Sequence, residues 1–182
     1  MSGHRYVALI RGINVGGRNP VPMAALRDAF TEHGFTDVST YIQSGNVLFS
    51  STLPARSVEG EVEAMLERHV GSALVVVVRS ERQFRSVVQR APDGFGDQPD
   101  TYHSDVVFLR SPLTAAKAMK IVELRDGVDR AWTGTGAVYF ERLSERRTAS
   151  RMNRITQHPE YQLMTIRSWS TTTKLLSLLD AD

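Results

Sequence analysis

The first 79 residues contain six segments whose apolar spacing switches between the strand period and the helix period. A strand alternates its side chains between two faces, whereas an amphipathic helix repeats apolar residues every three or four positions. In chain order, the predicted segments are the strand 4–11, the helix 23–33, the strands 38–43 and 46–51, the helix 58–70 and the strand 74–79. Pro22 and Gly34 bracket the first helix with the residues expected at helix ends. The predicted order is therefore β-α-β-β-α-β.

The same order is predicted again after a bridging helix (80–90) and a Pro-, Gly- and Asp-rich loop (91–101). These segments are the strand 104–109, the helix 114–121, the strands 127–132 and 137–142, the helix 148–157 and the strand 162–166, followed by a last helix over 170–179 with Ser170 as its N-cap. We predict an α+β fold with two ferredoxin-like subdomains in tandem and an extra C-terminal helix. The predicted domains are 1–79 and 102–182, joined by 80–101.

The glycine-rich stretch RGINVGGRN (11–19) follows the first predicted strand. Its spacing differs from the dinucleotide pattern G-x-G-x-x-G, and it lacks the Gly-Lys-Ser/Thr ending of a Walker loop. Glycine also supplies the positive φ that a long connection between a strand and a helix needs. The residues alone leave both alternatives open, a tight turn or a loop that holds a phosphate.

Topology predicts that this stretch meets a second loop, QSGN (43–46). In a sheet of order 4-1-3-2, strand 1 ends at the edge where strand 3 begins, so the two loops share one rim. Arginine and backbone amides exposed in glycine-rich turns form a plausible anion site. The predicted ligand-binding residues are Arg11, Gly12, Asn14, Gly16, Gly17, Gln43, Ser44 and Asn46.

Composition excludes several kinds of chemistry. The chain has no cysteine, which removes disulfides, thiolate nucleophiles and cysteine-bound zinc, and which fits a reducing compartment. The five histidines show no metal-binding spacing, so we expect no metal and no cofactor. The N-terminal apolar run is too short for a signal peptide, and we expect a cytoplasmic protein with no membrane partner. No catalytic residue can be assigned.

All but three of the 22 cationic residues are arginine, although the net charge is only +2. Arginine suits bidentate contacts to phosphate, but codon bias also replaces lysine with arginine throughout a chain. On the predicted helix 148–157, Arg151 and Arg154 share a face with the preceding Arg147. That face is either a nucleic-acid contact or an ordinary solvated surface. The strand aromatics are expected in the core.

The stretch YVALIRGINVGGRNPVPMAALRDAFTEHGFTDVSTYIQSGNVLFSS (6–51) resembles the hallmark of the DUF1697 family of bacterial proteins of unknown function. Weaker similarity continues at 76–80 and 136–140. TIRSWSTTTKL (165–175) resembles the family's Thr-x-Arg-Asn-Trp-Asn-Thr-x-x-Lys-Leu, with Ser168 and Ser170 in place of the two asparagines. The resemblance implies a duplicated α+β architecture and no activity.

In that C-terminal segment, Arg167, Trp169 and Lys174 form a possible second patch. Its aromatic and basic side chains suit either a ligand platform or the docking of the last helix.

Three functions remain open on the sequence alone. The first is a protein that binds a small anionic ligand, a nucleotide or a nucleic-acid phosphate at the rim. The second is an enzyme that acts there on a phosphorylated or nucleotide-like substrate, which requires a titratable base near the loops. The third is a structural or interaction module with no ligand. The oligomeric state is not predicted.

Overall fold

A computed structural model describes residues 3–14, 17 and 20–181 of the chain. It divides into two compact units, one comprising residues up to 84 together with those from 175 onward, and the other comprising residues 85–174. Among the described residues, no helix is long and apolar enough to cross a membrane.

Within its described residues, the first unit contains four strands and two complete helices. In chain order these are β1 (His4–Arg11), α1 (Met23–Glu32), β2 (Thr36–Tyr41), β3 (Asn46–Ser51), α2 (Ala55–Val70) and β4 (Val75–Ser80). The sheet order is β2-β3-β1-β4, and each of its three strand pairs is antiparallel. The predicted order 4-1-3-2 is thus confirmed, with β1 in the interior of the sheet.

Helix α2 shows how the sequence sets the elements of this unit. Its buried side chains recur at helical spacing and pack on one face of the sheet: they are Val58, Val62, Met65 and Leu66. Gly71 ends the helix with a φ of 78°, a conformation that costs glycine little, and its N–H bonds to the Glu67 carbonyl. The helix thereby stops just before β4.

The second unit repeats the sheet. Its elements in chain order are β5 (Tyr102–Leu109), α4 (Ala115–Met119), β6 (Asp129–Gly134), β7 (Ala137–Leu143) and β8 (Met164–Ser168). The order β6-β7-β5-β8 is that of the first sheet with each strand number raised by four, and the pairs are again antiparallel. The α+β fold with two ferredoxin-like subdomains is confirmed. Helix α3 (Glu81–Gln89) precedes this sheet and helix α5 (Trp169–Leu179) follows it.

The helix predicted over 148–157 is wrong. Three short 3₁₀ helices occupy that part of the chain, at Ser144–Ala149, Met152–Gln157 and Pro159–Leu163. Ser150 has an extended backbone, and its hydroxyl accepts a hydrogen bond from the Met152 amide, so the chain turns where a helix would continue. The predicted helical face of Arg147, Arg151 and Arg154 therefore does not form.

The N-cap predicted at Ser170 is also wrong. Helix α5 already begins at Trp169, and the Ser168 hydroxyl accepts the Thr171 N–H at 3.2 Å. The cap belongs to Ser168 because its hydroxyl lies three residues before the amide that it satisfies. The expected burial of strand aromatics is confirmed for Tyr6, Phe49, Phe108, Tyr139 and Phe140, whereas Tyr41 is half-buried.

Candidate functional site

The two predicted loops meet at one edge of the first sheet. Leu9 pairs with Asn46 at the start of β3, and the next residue, Ile10, donates its N–H to the Gly45 carbonyl at 2.8 Å. Beyond the ladder, the Asn14 side chain donates to the Gln43 carbonyl at 3.2 Å. We call this edge, formed by residues 11–14 and 42–46, the rim.

Asn14 holds the first loop in place. Its side-chain oxygen accepts the Val21 N–H at 2.8 Å, and its side-chain nitrogen donates to the Val21 carbonyl at 2.8 Å. Together with the bond to Gln43, these contacts fix a residue whose φ is 55°. Asparagine tolerates this left-handed region better than most residues. The contacts show that Asn14 positions both loops, which makes it a positioning residue of the site.

Asn46 has a similar role in the second loop. Its side chain is fully buried and donates to the Tyr41 carbonyl at 3.0 Å and to the Ser44 hydroxyl at 2.9 Å. These bonds connect Asn46, the first residue of β3, to the last residue of β2 and to the turn between the two strands. The Asn46 side-chain amide therefore makes hydrogen bonds within the protein.

Other rim residues face solvent. Gly12, Gln43 and Ser44 are exposed, and Arg11 is half-exposed at the end of β1. Gly17 is exposed further along the loop, whereas Gly16 lies outside the described residues. The rim thus presents one guanidinium, one hydroxyl and one carboxamide beside exposed backbone.

Two features of the second loop were not predicted. A Cβ on Gly45 would lie 2.8 Å from the Ile10 carbonyl oxygen, so only glycine allows the loops to approach this closely. Ile42 adopts a φ of 48° and leaves 49% of its surface exposed. The sequence signals a turn at Ser44-Gly45 but gives no sign that an isoleucine takes a left-handed conformation.

A cavity of about 310 Å³ lies at the same edge of the sheet. It is lined by Pro20, Val21, Pro22, Ala25, His69 and Val70. Val21 is the residue that Asn14 holds, and Val70 ends α2 just before β4, whose Val75 pairs with Arg11. Helix α1 begins here with Pro22 as its N-cap and no side-chain cap. Uncapped amides at a helix N-terminus favour negative charge.

A second cavity, of about 440 Å³, lies near the opposite edge of the same sheet. Its lining includes His33, whose imidazole lies 3.4 Å from the Glu61 carboxylate, and the buried residues Ser50 and Ser51. The Ser51 hydroxyl accepts the Leu53 N–H at 3.1 Å. No sequence motif marks these residues, because they come from separate parts of the chain.

The predicted second patch is largely packed within the protein. Arg167 is buried and donates to the Thr165 hydroxyl at 2.9 Å and to the Ile166 carbonyl at 2.8 Å. Burial lowers its pKa to about 10, with a smaller opposing effect from Tyr161. The Trp169 ring packs edge-on against Phe95, with ring centres 5.1 Å apart. Lys174 is exposed. These contacts favour the docking role for Trp169.

The buried carboxylates of the second sheet are Glu141, Asp105 and Asp129. Glu141 accepts hydrogen bonds from the Gly96 N–H, the Ser104 hydroxyl and the Arg130 guanidinium at 2.7–3.0 Å. Asp105 lies 3.2 Å from His103 and 3.4 Å from Arg142. Burial raises the pKa of Asp105, although both neighbours oppose that shift. Within the described ranges, no cluster of three or more acidic or histidine ligands could hold a metal ion.

The fold and the rim define a class of protein, a tandem of two ferredoxin-like units with a hydrogen-bonded pair of loops at one edge of the first sheet. The model of the family described as "Protein of unknown function (DUF1697)" matches residues 4–139, and the chain belongs to that family. No curated protein matches the chain. The structure of the conserved bacterial protein SP0830 from Streptococcus pneumoniae is similar to this chain, with a TM-score of 0.84 and 26% identity over 97% of this chain and 98% of that one.

Proposed function

We propose that the protein binds a small anionic ligand, such as a phosphate group, at the rim. The observation that carries the proposal is the Asn14 side chain, whose three hydrogen bonds join the two loops beside half-exposed Arg11. Polar side chains that hold loops in fixed positions allow a site to bind without first paying the entropy of ordering it.

Arg11 supplies the charge in this proposal. Hydrogen bonds between a guanidinium and an anion are about twice as strong as neutral ones. The exposed Ser44 hydroxyl and Gln43 carboxamide provide further donors, and both residues belong to the loop that Asn14 and Asn46 hold. Backbone amides at the uncapped start of α1 add positive potential at the same edge of the sheet.

The contacts of Asn14 and Asn46 also fit the alternative function, a structural or interaction module with no ligand. Asn46 is fully buried and Asn14 is hydrogen-bonded within the chain, as a module that only fixes its own loops requires. Exposed Ser44 favours the binding proposal instead, because a purely internal role predicts that this residue is buried. A binding measurement separates the two.

The test is isothermal titration of the protein with inorganic phosphate, in the wild type and in Arg11→Gln. The matched control is Arg56→Gln, which removes an exposed arginine at the start of α2, near the opposite end of β3. We expect saturable binding that weakens at least about tenfold in Arg11→Gln, because one charge-assisted hydrogen bond contributes roughly 1.5–3 kcal/mol. Equal affinities in the two variants, or no binding in the wild type, would overturn the proposal.

A further inference from the structure

Ile42 combines two features that are rare together. Among the described residues, three non-glycine residues have a positive φ, namely Asn14, Asp37 and Ile42, and only the last is β-branched. A β-branched residue is a conformational outlier there, because its Cβ substituents crowd the backbone. Ile42 is also the most exposed of the large hydrophobic residues that the structure describes.

Neither feature of Ile42 helps the protein to fold. Asn14 offsets its own strained conformation with three side-chain hydrogen bonds, and aspartate tolerates the left-handed region in turns. The isoleucine side chain makes no hydrogen bond, and about half of it remains in water, so it recovers only about half of the free energy that full burial would give. Strained residues of this kind concentrate at ligand sites.

Ile42 stands within the rim. It precedes Gln43, whose carbonyl accepts the Asn14 bond. Arg11 is the last residue of β1 and follows Ile10, whose N–H bonds to the Gly45 carbonyl. Ile42 and Arg11 therefore belong to the two chain segments of the rim, which the Ile10–Gly45 and Asn14–Gln43 hydrogen bonds join.

We propose that the rim ligand is a nucleoside phosphate, with its phosphate at Arg11 and its base packed on Ile42. This inference rests on the proposed function. Inorganic phosphate would leave the exposed isoleucine in water, and a sugar phosphate would place hydroxyl groups against its methyl groups. A nucleobase presents a flat face that needs no hydrogen bonds and that excludes water from the side chain.

The variants for the test are Ile42→Gly, which relieves the φ and removes the apolar surface, and Ile42→Asn, which tolerates the φ and is polar. Asp37→Gly is the matched control, since it relieves a φ of 50° on β2 outside the rim. The probes are the four nucleoside 5′-monophosphates, ribose 5-phosphate and inorganic phosphate, each titrated calorimetrically into the full chain.

We expect at least one nucleoside monophosphate to bind the wild type about tenfold or more tightly than ribose 5-phosphate. Both Ile42 variants should reduce that ratio at least about threefold and keep the affinity for inorganic phosphate, whereas Asp37→Gly should change neither. If phosphate binds through Arg11 but no nucleotide binds more tightly, or if the Ile42 variants keep the ratio, the nucleotide inference is overturned and the anion site stands. If neither phosphate nor nucleotide binds, both are overturned.

Discussion

The side-chain amide of Asn14 donates a 3.2 Å hydrogen bond to the main-chain carbonyl of Gln43, joining two loops that are 29 residues apart in the chain. The same side chain pairs with both backbone groups of Val21. One asparagine thus fixes the exit from β1, the approach to α1 and the turn before β3. This relationship, more than the number of glycines, gives the rim its shape.

Asn14→Ala should destabilise the protein by about 3 kcal/mol. It removes three hydrogen bonds that each contribute roughly 0.5–1.5 kcal/mol, and it places alanine at an unfavourable φ. Asn14→Gly restores the conformational freedom without the bonds, so its loss should be about 1 kcal/mol smaller. Urea unfolding of both variants measures the difference. Equal losses of unfolding free energy in the two variants would show that the φ of 55° costs alanine no more than it costs glycine at this position.

Gly45→Ala tests the close approach of the two loops. The new Cβ would lie 2.8 Å from the Ile10 carbonyl oxygen and 3.0 Å from the Ile13 side chain. Gly71→Ala is the control, because its φ of 78° matches the 80° at Gly45 while nothing lies within 4 Å of its added Cβ. Both variants incur about 1–2 kcal/mol of conformational strain, and Gly45→Ala should lose at least about 1 kcal/mol more. Similar unfolding free energies would contradict the account of the loop contact.

Sequence reasoning was accurate for the sheets and inaccurate where local chemistry competes with periodicity. The β-rich runs and their order predicted both four-stranded sheets, because strand alternation survives in a buried antiparallel ladder. The spacing of 148–157 predicts a helix that the structure does not contain. The Ser150 hydroxyl accepts the Met152 N–H where the chain turns, and Pro159 begins a separate 3₁₀ helix. These effects depend on single side chains and leave no periodic signal.

At the rim, topology predicted which loops would meet, and it did not predict what each residue does there. Asn14 and Asn46 were predicted as ligand contacts, and their side chains bond within the chain. The φ of Ile42 was missed because isoleucine prefers extended backbone, so its sequence context favours the opposite conformation. Arg167 is predicted only as part of a patch that either binds a ligand or docks the last helix, and its contacts with Thr165 and Ile166 leave no signal in the residue spacing.

Gly96→Ala tests the packing of Trp169. An added Cβ would overlap the Trp169 indole, so the ring must move away from Gly96. Gly94→Ala is the control, because the φ of Gly94 is 79°, close to the 78° of Gly96, and nothing lies within 4 Å of its added Cβ. We expect the indole N–H resonance of Trp169 to shift in Gly96→Ala and to stay in place in Gly94→Ala. An unmoved resonance in both variants would argue against a docked ring.

Asp105 should give the second unit a distinctive pH dependence. Burial raises its pKa above the ordinary 3.8, against the opposing charges of His103, Arg142 and Arg147. The folded state then holds this proton more tightly than the unfolded state. As pH rises from about 4 through the raised pKa, the contribution of Asp105 to stability therefore falls.

Asp105→Asn removes this titration. Relative to the wild type, the variant should gain unfolding free energy as the pH is raised from about 4 to 6, whatever its stability at the starting pH. Chemical denaturation at several pH values across this range provides the curve. If the variant instead loses unfolding free energy relative to the wild type as the pH rises, the pKa of Asp105 is lowered in the folded protein.

The most direct test of an anion site at the rim is a titration of the ¹⁵N-labelled protein with inorganic phosphate, followed by amide chemical shifts. We predict saturable shifts at Gly12, Gln43 and Ser44, which require at least about tenfold more phosphate in Arg11→Gln and are unchanged in Arg56→Gln. Shifts confined to the residues around His33 and Glu61 near the opposite edge of the sheet, or no saturable shift at all, would contradict the assignment of the site to the rim.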